Sequence, residues 1–301
     1  MRISFPFRGL VAATHAPFGV DGELRLAAIE KICGHLLADG VHTVFINGTT
    51  GECASLSVQE RMDVARRWFD VTQGTPMKVS VHVGSNCLGD CQLLAKHAEE
   101  LGAISISCFA PHYFKPRHLE SLIEWCAAVA GAASETPFYF YDIPGFTHVQ
   151  QSMPDFLELA PSRIPNLVGL KFTNPDLMSY QLCLASNRGG FDIAYGCDEW
   201  LLAALALGAR GAVGSTYNFA APLYLRIINA FSKGDFEVAR KDQLKAVRMI
   251  KLMANMGFMG AAKEMMRLRG VDVGSPRLPN SSVSEAHSRD LRRMLEEIEV
   301  V

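Results

Sequence analysis

A lysine closes one of the most apolar runs in the chain, Val168-Gly169-Leu170-Lys171. Such a run reads as a strand inside the wall of a fold. A lysine at its end cannot easily hydrate its charge. Burial lowers an ammonium's pKa from its free value of about 10.4 toward neutrality. A neutral amine attacks a carbonyl, and a Schiff base follows. A lysine paired with a carboxylate inside the fold is the other reading, and position alone leaves both open. Tyr141 ends the neighbouring run, Phe138-Tyr139-Phe140-Tyr141. A phenol within reach of such an amine can relay the protons that Schiff-base chemistry moves. A packed tyrosine with a satisfied hydroxyl is the alternative. That is the role read for Tyr139, two residues earlier on the same strand face.

Other polar residues sit where apolar runs end. Asn47-Gly48-Thr49-Thr50-Gly51-Glu52 is a glycine-flanked turn. The hydroxyls and N–H groups of Thr49 and Thr50 could hold a carboxylate without a formal charge. An ordinary capped turn is the competing reading, and Glu52 is left without a role. Ser57 and Glu60 form a Ser-x-x-Glu capping box and are read as structural. Asp142-Ile143-Pro144-Gly145, Lys171-Phe172-Thr173, Gly196-Cys197-Asp198-Glu199 and Gly214-Ser215-Thr216-Tyr217-Asn218 complete the set. Five polar loops would converge if their strands end at one mouth.

The elements that must position them alternate along the chain. Strands are predicted at 9–14, 41–46, 78–83, 104–109, 138–141, 167–171, 191–195 and 211–214. Helical spacing follows each of them, at 24–38, 58–71, 90–101, 119–132, 154–160, 177–186, 199–207 and 223–231. Eight such repeats predict a closed parallel (β/α)8, or TIM, barrel, whose active site lies at the C-terminal strand ends. An open doubly wound sheet would carry a phosphate- or dinucleotide-binding glycine signature, and none occurs. Residues 236–256, 261–268 and 284–298 read as three further helices, with a Gly/Pro-rich connector at 270–282. The barrel is assigned to 1–232 and the helical extension to 233–301, together one structural domain.

Composition sets the outer limits. The 301 residues are 49% hydrophobic with a net charge of −2, so a large core is possible and no strong field draws in nucleic acid or an anionic membrane. The first residues lack the apolar run of a secretory leader, and no stretch reaches membrane-spanning length. The eight cysteines form no Cys-x-x-Cys pair. Cys87 and Cys91 have no second ligand pair at zinc spacing, so thiols in a reducing compartment are expected and no metal is assigned. The cytoplasm is the expected location.

Gly48-Thr49-Thr50-Gly51-Glu52, Tyr141-Asp142-Ile143-Pro144, Gly169-Leu170-Lys171 and Gly211-Ala212-Val213-Gly214-Ser215 together resemble the N-acetylneuraminate lyase and dihydrodipicolinate synthase superfamily of class I aldolases. The resemblance runs from about Leu10 to Pro279. Gly196-Cys197-Asp198-Glu199 and Gly214-Ser215-Thr216-Tyr217-Asn218-Phe219 are similar to its sialic acid lyase branch in particular. It implies reversible cleavage of N-acetylneuraminate to pyruvate and N-acetylmannosamine without a metal or organic cofactor. It implies Lys171 as the Schiff-base lysine, Tyr141 as the proton relay, and Thr49 and Thr50 as holders of the pyruvate carboxylate. Thr173, Gly196, Asp198, Glu199 and Ser215 match positions that bind the hydroxylated remainder of the sugar acid. Tyr113 resembles a tyrosine that reaches a neighbouring subunit's site, and a homotetramer is expected.

Three positions depart from the pattern. Phe146 stands where the family's synthases carry an arginine for a substrate carboxylate, which argues against a synthase: that contact is worth about 2 to 3 kcal/mol. Asp142 adds a negative charge near the mouth, and Trp200 beside the Asp-Glu pair could reshape the pocket. The alternatives are an aldolase or synthase acting on another 2-keto-3-deoxy sugar acid, and a catalytically silent barrel that binds a sugar acid.

Overall fold

Eight parallel strands close on themselves in the order of the sequence. The computed structural model describes residues 6–300. Of the leader reading made on Met1 to Phe7, the first five residues lie outside the described residues, as does Val301. The strands are β1 (Gly9–Ala13), β2 (Thr43–Ile46), β3 (Lys78–His82), β4 (Ser105–Phe109), β5 (Phe138–Asp142), β6 (Leu167–Phe172), β7 (Asp192–Tyr195) and β8 (Gly211–Gly214). The outer helices are α1 (Ala28–Ala38), α2 (Val58–Thr72), α3 (Leu88–Glu100), α4 (Leu119–Ala130), a short α5 (Pro144–Thr147), α6 (Met153–Leu159), α7 (Leu177–Ala185), α8 (Leu201–Leu207) and α9 (Tyr217–Ser232). Three more follow: α10 (Phe236–Asn255), α11 (Phe258–Leu268) and α12 (Glu285–Glu297). The fold is a TIM barrel with C-terminal helices.

Two-residue alternation along the strands divides the core in two, with one break in β6, where the register with β5 shifts at Val168. Outward residues such as Ile106, Phe140, Leu170 and Ile193 pack under the helices. Inward residues fill the barrel, among them Phe7, Val11, Phe45, Tyr139, Val168 and Val213. At the floor Asp192 is a hub. Its Oδ2 accepts the Phe7 N–H and the Tyr139 hydroxyl, both at 2.7 Å, and its Oδ1 meets Arg8 at 2.8 Å. Phe7 stacks on Tyr139 with ring centroids 4.7 Å apart. Tyr139 is thus a packed, satisfied side chain.

Several boundaries moved for local reasons. The predicted first helix loses its front: Leu24 pairs with Phe18 in an antiparallel bridge, and Arg25 N donates to Pro17 O. The predicted 223–231 helix begins instead at Tyr217, with its kink at Ala220, just before Pro222. A proline lacks the N–H that a straight helix would use there. Ser57 and Glu60 do form the capping box that opens α2. Among the described residues no helix is long and apolar enough to cross a membrane.

Candidate active site

The C-terminal strand ends enclose a cavity of about 560 Å³. Register puts its two central residues side by side, because Tyr141 on β5 pairs directly with Lys171 on β6. Both point inward. Lys171 Nζ lies 3.9 Å from the Tyr141 ring centroid and 4.1 Å from that of Phe45. Lys171 is only 3% exposed, and among the described residues no carboxylate lies within ion-pairing distance of its Nζ. Burial dominates its protonation and lowers its pKa from 10.5 to about 7, with the more distant Asp198 carboxylate opposing. At neutral pH a large fraction of this amine is therefore uncharged.

The Tyr141 hydroxyl is 3.4 Å from Thr49 Oγ1. Burial raises the phenol's pKa, and the contact with Thr49 offsets part of that. A phenol held protonated is a donor at rest and can exchange its proton with a bound oxygen. Thr50 Oγ1 lies 2.6 Å from Ser215 Oγ, which links the turn after β2 to the loop after β8.

The opposite wall belongs to the loops after β6, β7 and β8. Asp198 Oδ2 accepts the Thr216 N–H at 2.9 Å and its hydroxyl at 2.6 Å. Burial raises the Asp198 pKa from 3.8 to about 6, with the Thr216 bonds pulling the other way. Gly214 makes this seat possible: a Cβ there would lie 1.9 Å from Asp198 Oδ1. Gly196 does the same for Thr173, whose Oγ1 would be 1.9 Å from an added Cβ. Thr173 Oγ1 is buried and has no partner in hydrogen-bond geometry among the described residues, although its hydroxyl offsets part of the rise that burial causes in the Tyr141 pKa. An unsatisfied buried hydroxyl facing a cavity is suited to a ligand's hydroxyl. From α10, Gln243 Nε2 donates to the carbonyls of Asp198 and Glu199 at 3.3 and 3.0 Å and fixes the turn.

Nine predicted site residues line this cavity: Lys171, Tyr141, Thr49, Thr50, Thr173, Gly196, Asp198, Glu199 and Ser215. Tyr113 does not; it lies 77% exposed, edge-on to Phe114. Phe146 lines the cavity. Asp142 and Trp200, expected near the mouth, do not. Asp142 follows an inward residue, so alternation turns it outward. There its carboxylate accepts from Asn174 at 3.2 Å, and burial raises its pKa to about 6. Trp200 is half exposed on the outside of its turn. Among the described residues no three side chains cluster as metal ligands.

The whole chain has relatives. The model of the dihydrodipicolinate synthetase family matches residues 6–298. The chain belongs to the dihydrodipicolinate synthetase family. It is similar to the N-acetylneuraminate lyase of Gallus gallus, 38% identical over 96% of each chain. Among solved structures it is similar to Proteus mirabilis N-acetylneuraminate lyase, with a TM-score of 0.95 and 38% identity, covering 99% of this chain and 100% of that one. The N-acetylneuraminate lyase, or sialic acid aldolase, of Aliivibrio salmonicida also gives a TM-score of 0.95 at 38% identity, covering 99% and 98%.

In this member of the dihydrodipicolinate synthetase family the site holds residues that sequence reasoning missed. Phe45 and the fully buried His82 flank Tyr141, with His82 and Tyr141 ring centroids 5.5 Å apart. Both sit at inward positions of strand runs, so alternation carried that signal. Ile250, Phe258, Met259 and Asn280 reach the cavity from the C-terminal helices and connector. No local pattern marks a helix that returns from so far along the chain. Glu52, left without a role, proves to be in a buried ion pair with Lys263.

Proposed function

We propose that the chain is a Schiff-base class I aldolase that cleaves N-acetylneuraminate reversibly to pyruvate and N-acetylmannosamine. One observation carries this reading: a buried amine with no carboxylate in ion-pairing distance among the described residues, set against a phenol at a barrel mouth. The family and its lyase relatives support the substrate assignment. Phe146 lines the cavity where the resemblance places the synthases' carboxylate-binding arginine, which favours a lyase.

The residues take these roles. Thr49 and Thr50 hold the carboxylate of the open-chain sugar acid through hydroxyl and backbone N–H groups. Neutral Lys171 attacks the C2 ketone, and loss of water gives a protonated imine. The imine draws the C3–C4 bonding pair as the C4 hydroxyl loses its proton to the Tyr141 oxygen, which has passed its own proton to the departing carbinolamine hydroxyl. N-acetylmannosamine leaves, the enamine is protonated at C3, and water releases pyruvate and the free amine. Thr173, Gly196, Asp198, Glu199 and Ser215 bind the hydroxylated chain, where acceptors and donors suit a polyol. This chemistry needs no metal or organic cofactor.

The exposed Tyr113 is proposed to complete a neighbouring subunit's site within a homotetramer. The extension is proposed to fold only with the barrel as one domain, because a single apolar cluster runs from Leu10 to Val300. Eight free thiols suit a reducing compartment, and the cytoplasm is proposed.

Borohydride reduction with pyruvate should leave one pyruvate-derived mass on Lys171, absent in Lys171→Ala. Pyruvate release from a panel of sugar acids then fixes the substrate. A protein that binds sugar acids but gives neither adduct nor turnover would be a silent barrel, and the aldolase reading would fall.

A further inference from the structure

We propose that Lys263, on α11 of the C-terminal extension, is a positioning residue for the carboxylate-binding turn, acting through its buried ion pair with Glu52. The proposal rests on the aldolase reading above and adds a residue to it.

The turn that carries Thr49 and Thr50 is bracketed by two non-glycine residues with left-handed backbones, Asn47 at φ 58° and Glu52 at φ 53°. Such conformations persist where surrounding contacts hold them. Asn47 is held from α2, its Nδ2 donating to Arg61 O at 2.8 Å. Glu52 is held from the far end of the chain. Its Oε1 lies 2.9 Å from Lys263 Nζ, and both side chains are 1% exposed. Its Oε2 accepts the backbone N–H of Arg277 at 2.9 Å. Lys263 also donates to Ala16 O at 2.9 Å and Ser275 O at 3.2 Å, with its Nζ 4.2 Å from the Phe18 ring centroid. Burial keeps His15 neutral beside it, with a pKa near 3. Glu52 is the one carboxylate within ion-pairing distance of Lys263 among the described residues.

Only Gly51 separates this anchor from Thr50. A shift of the Glu52 backbone is therefore passed directly to the hydroxyls and N–H groups that would meet the substrate's carboxylate. A buried ion pair adds little net stability over apolar side chains of the same volume, so what it contributes here is geometric. On the aldolase reading the hydroxylated fragment binds to the other wall, on the loops after β6, β7 and β8; Lys263 makes no hydrogen bond or ion pair there, and the turn is joined to that wall through the Thr50–Ser215 contact alone among the described residues.

That separation gives the test. The condensation reaction uses pyruvate and N-acetylmannosamine as independent substrates. Lys263→Met, Glu52→Gln and the double variant are compared with the wild type for both KM values, kcat and thermal midpoint. In Lys263→Met, KM for pyruvate should rise about tenfold or more, the affinity equivalent of one weakened hydrogen bond to a charged carboxylate. KM for N-acetylmannosamine should change far less, because Ser215 is the one sugar-side residue the turn contacts. Glu52→Gln should move the same constant by a smaller factor, and the double variant should be no worse than Lys263→Met, since both changes break one contact. If the lone buried carboxylate prevents Lys263→Met from folding, Glu52→Gln and the double variant, which leave no unpaired buried carboxylate, carry the comparison. A rise in both KM values together, a change confined to kcat or thermal midpoint, or additive effects would overturn the proposal. A wild type that forms no pyruvate adduct on Lys171 removes the aldolase reading and this inference with it. A wild type with normal turnover beside variants with unchanged constants removes this inference alone.

Discussion

Lys171→Met should make the protein more stable, by an amount that depends on pH. The amine's pKa is about 7 in the folded chain against an ordinary 10.5. Holding the charged form in that site therefore costs up to about 5 kcal/mol, at 1.36 kcal/mol per pH unit. The folded pKa is the lower one, so the unfolded chain binds more protons between the two values. Stability then rises with pH across that window. The penalty is complete below pH 7, shrinks from pH 7 to 10.5, and is gone above it. Methionine fills similar volume without charge. Urea unfolding followed by tryptophan fluorescence should show Lys171→Met gaining several kcal/mol at pH 6. By pH 9.5 the charge-dependent part of that gain should fall to about 1 kcal/mol. The variant should form no borohydride-trapped adduct at either pH. Equal stabilities at pH 6, or a gain that does not shrink toward pH 9.5, would show that the site does not work against the ammonium, and the argument for a neutral nucleophile would fail.

Other substitutions probe the surroundings. Tyr141→Phe should lower kcat by about 10²- to 10⁴-fold, the range for a lost proton relay, with little change in thermal midpoint, since the hydroxyl's hydrogen bond to Thr49 is long, at 3.4 Å; a fall in midpoint with kcat intact would make the residue a packing tyrosine. Tyr139→Phe should do the reverse, losing about 1 to 3 kcal/mol of stability as Asp192 loses a partner, with unchanged kinetics. Gly214→Ala must expel Asp198, because the new Cβ would lie 1.9 Å from Oδ1; KM for N-acetylmannosamine should rise steeply while pyruvate still traps on Lys171, and unchanged constants would remove Asp198 from the sugar-binding wall.

Much of this was legible because strands write their burial into the sequence. A lysine closing Val168-Gly169-Leu170, and a tyrosine closing an aromatic run one strand earlier, could be set side by side before any coordinates, and β5 and β6 pair them. The misplacement of Asp142 was avoidable: if Tyr139 and Tyr141 face inward, Asp142 faces out, and its partner is Asn174. Trp200 could not be placed that way, since it lies in a turn without period. The front of the first helix was lost to a bridge between Phe18 and Leu24, a pairing that apolar spacing does not encode. Lys263 was least legible. It sits in an amphipathic helix like any surface lysine, and only the fold reveals that it points inward at Glu52.

The Asp192 hub at the base of the barrel has a kinetic consequence. With Phe7 and Tyr139 drawn over it, the described residues close the tube at that end, and the cavity at the other end is the way in. On the aldolase reading, whatever is tethered to Lys171 sits innermost, and the amino sugar lies between it and solvent. Exit is then first-out for the aldehyde and last-out for pyruvate, and entry in the synthetic direction runs the other way: the ketoacid must be seated before its partner arrives, so excess N-acetylmannosamine should obstruct the empty enzyme.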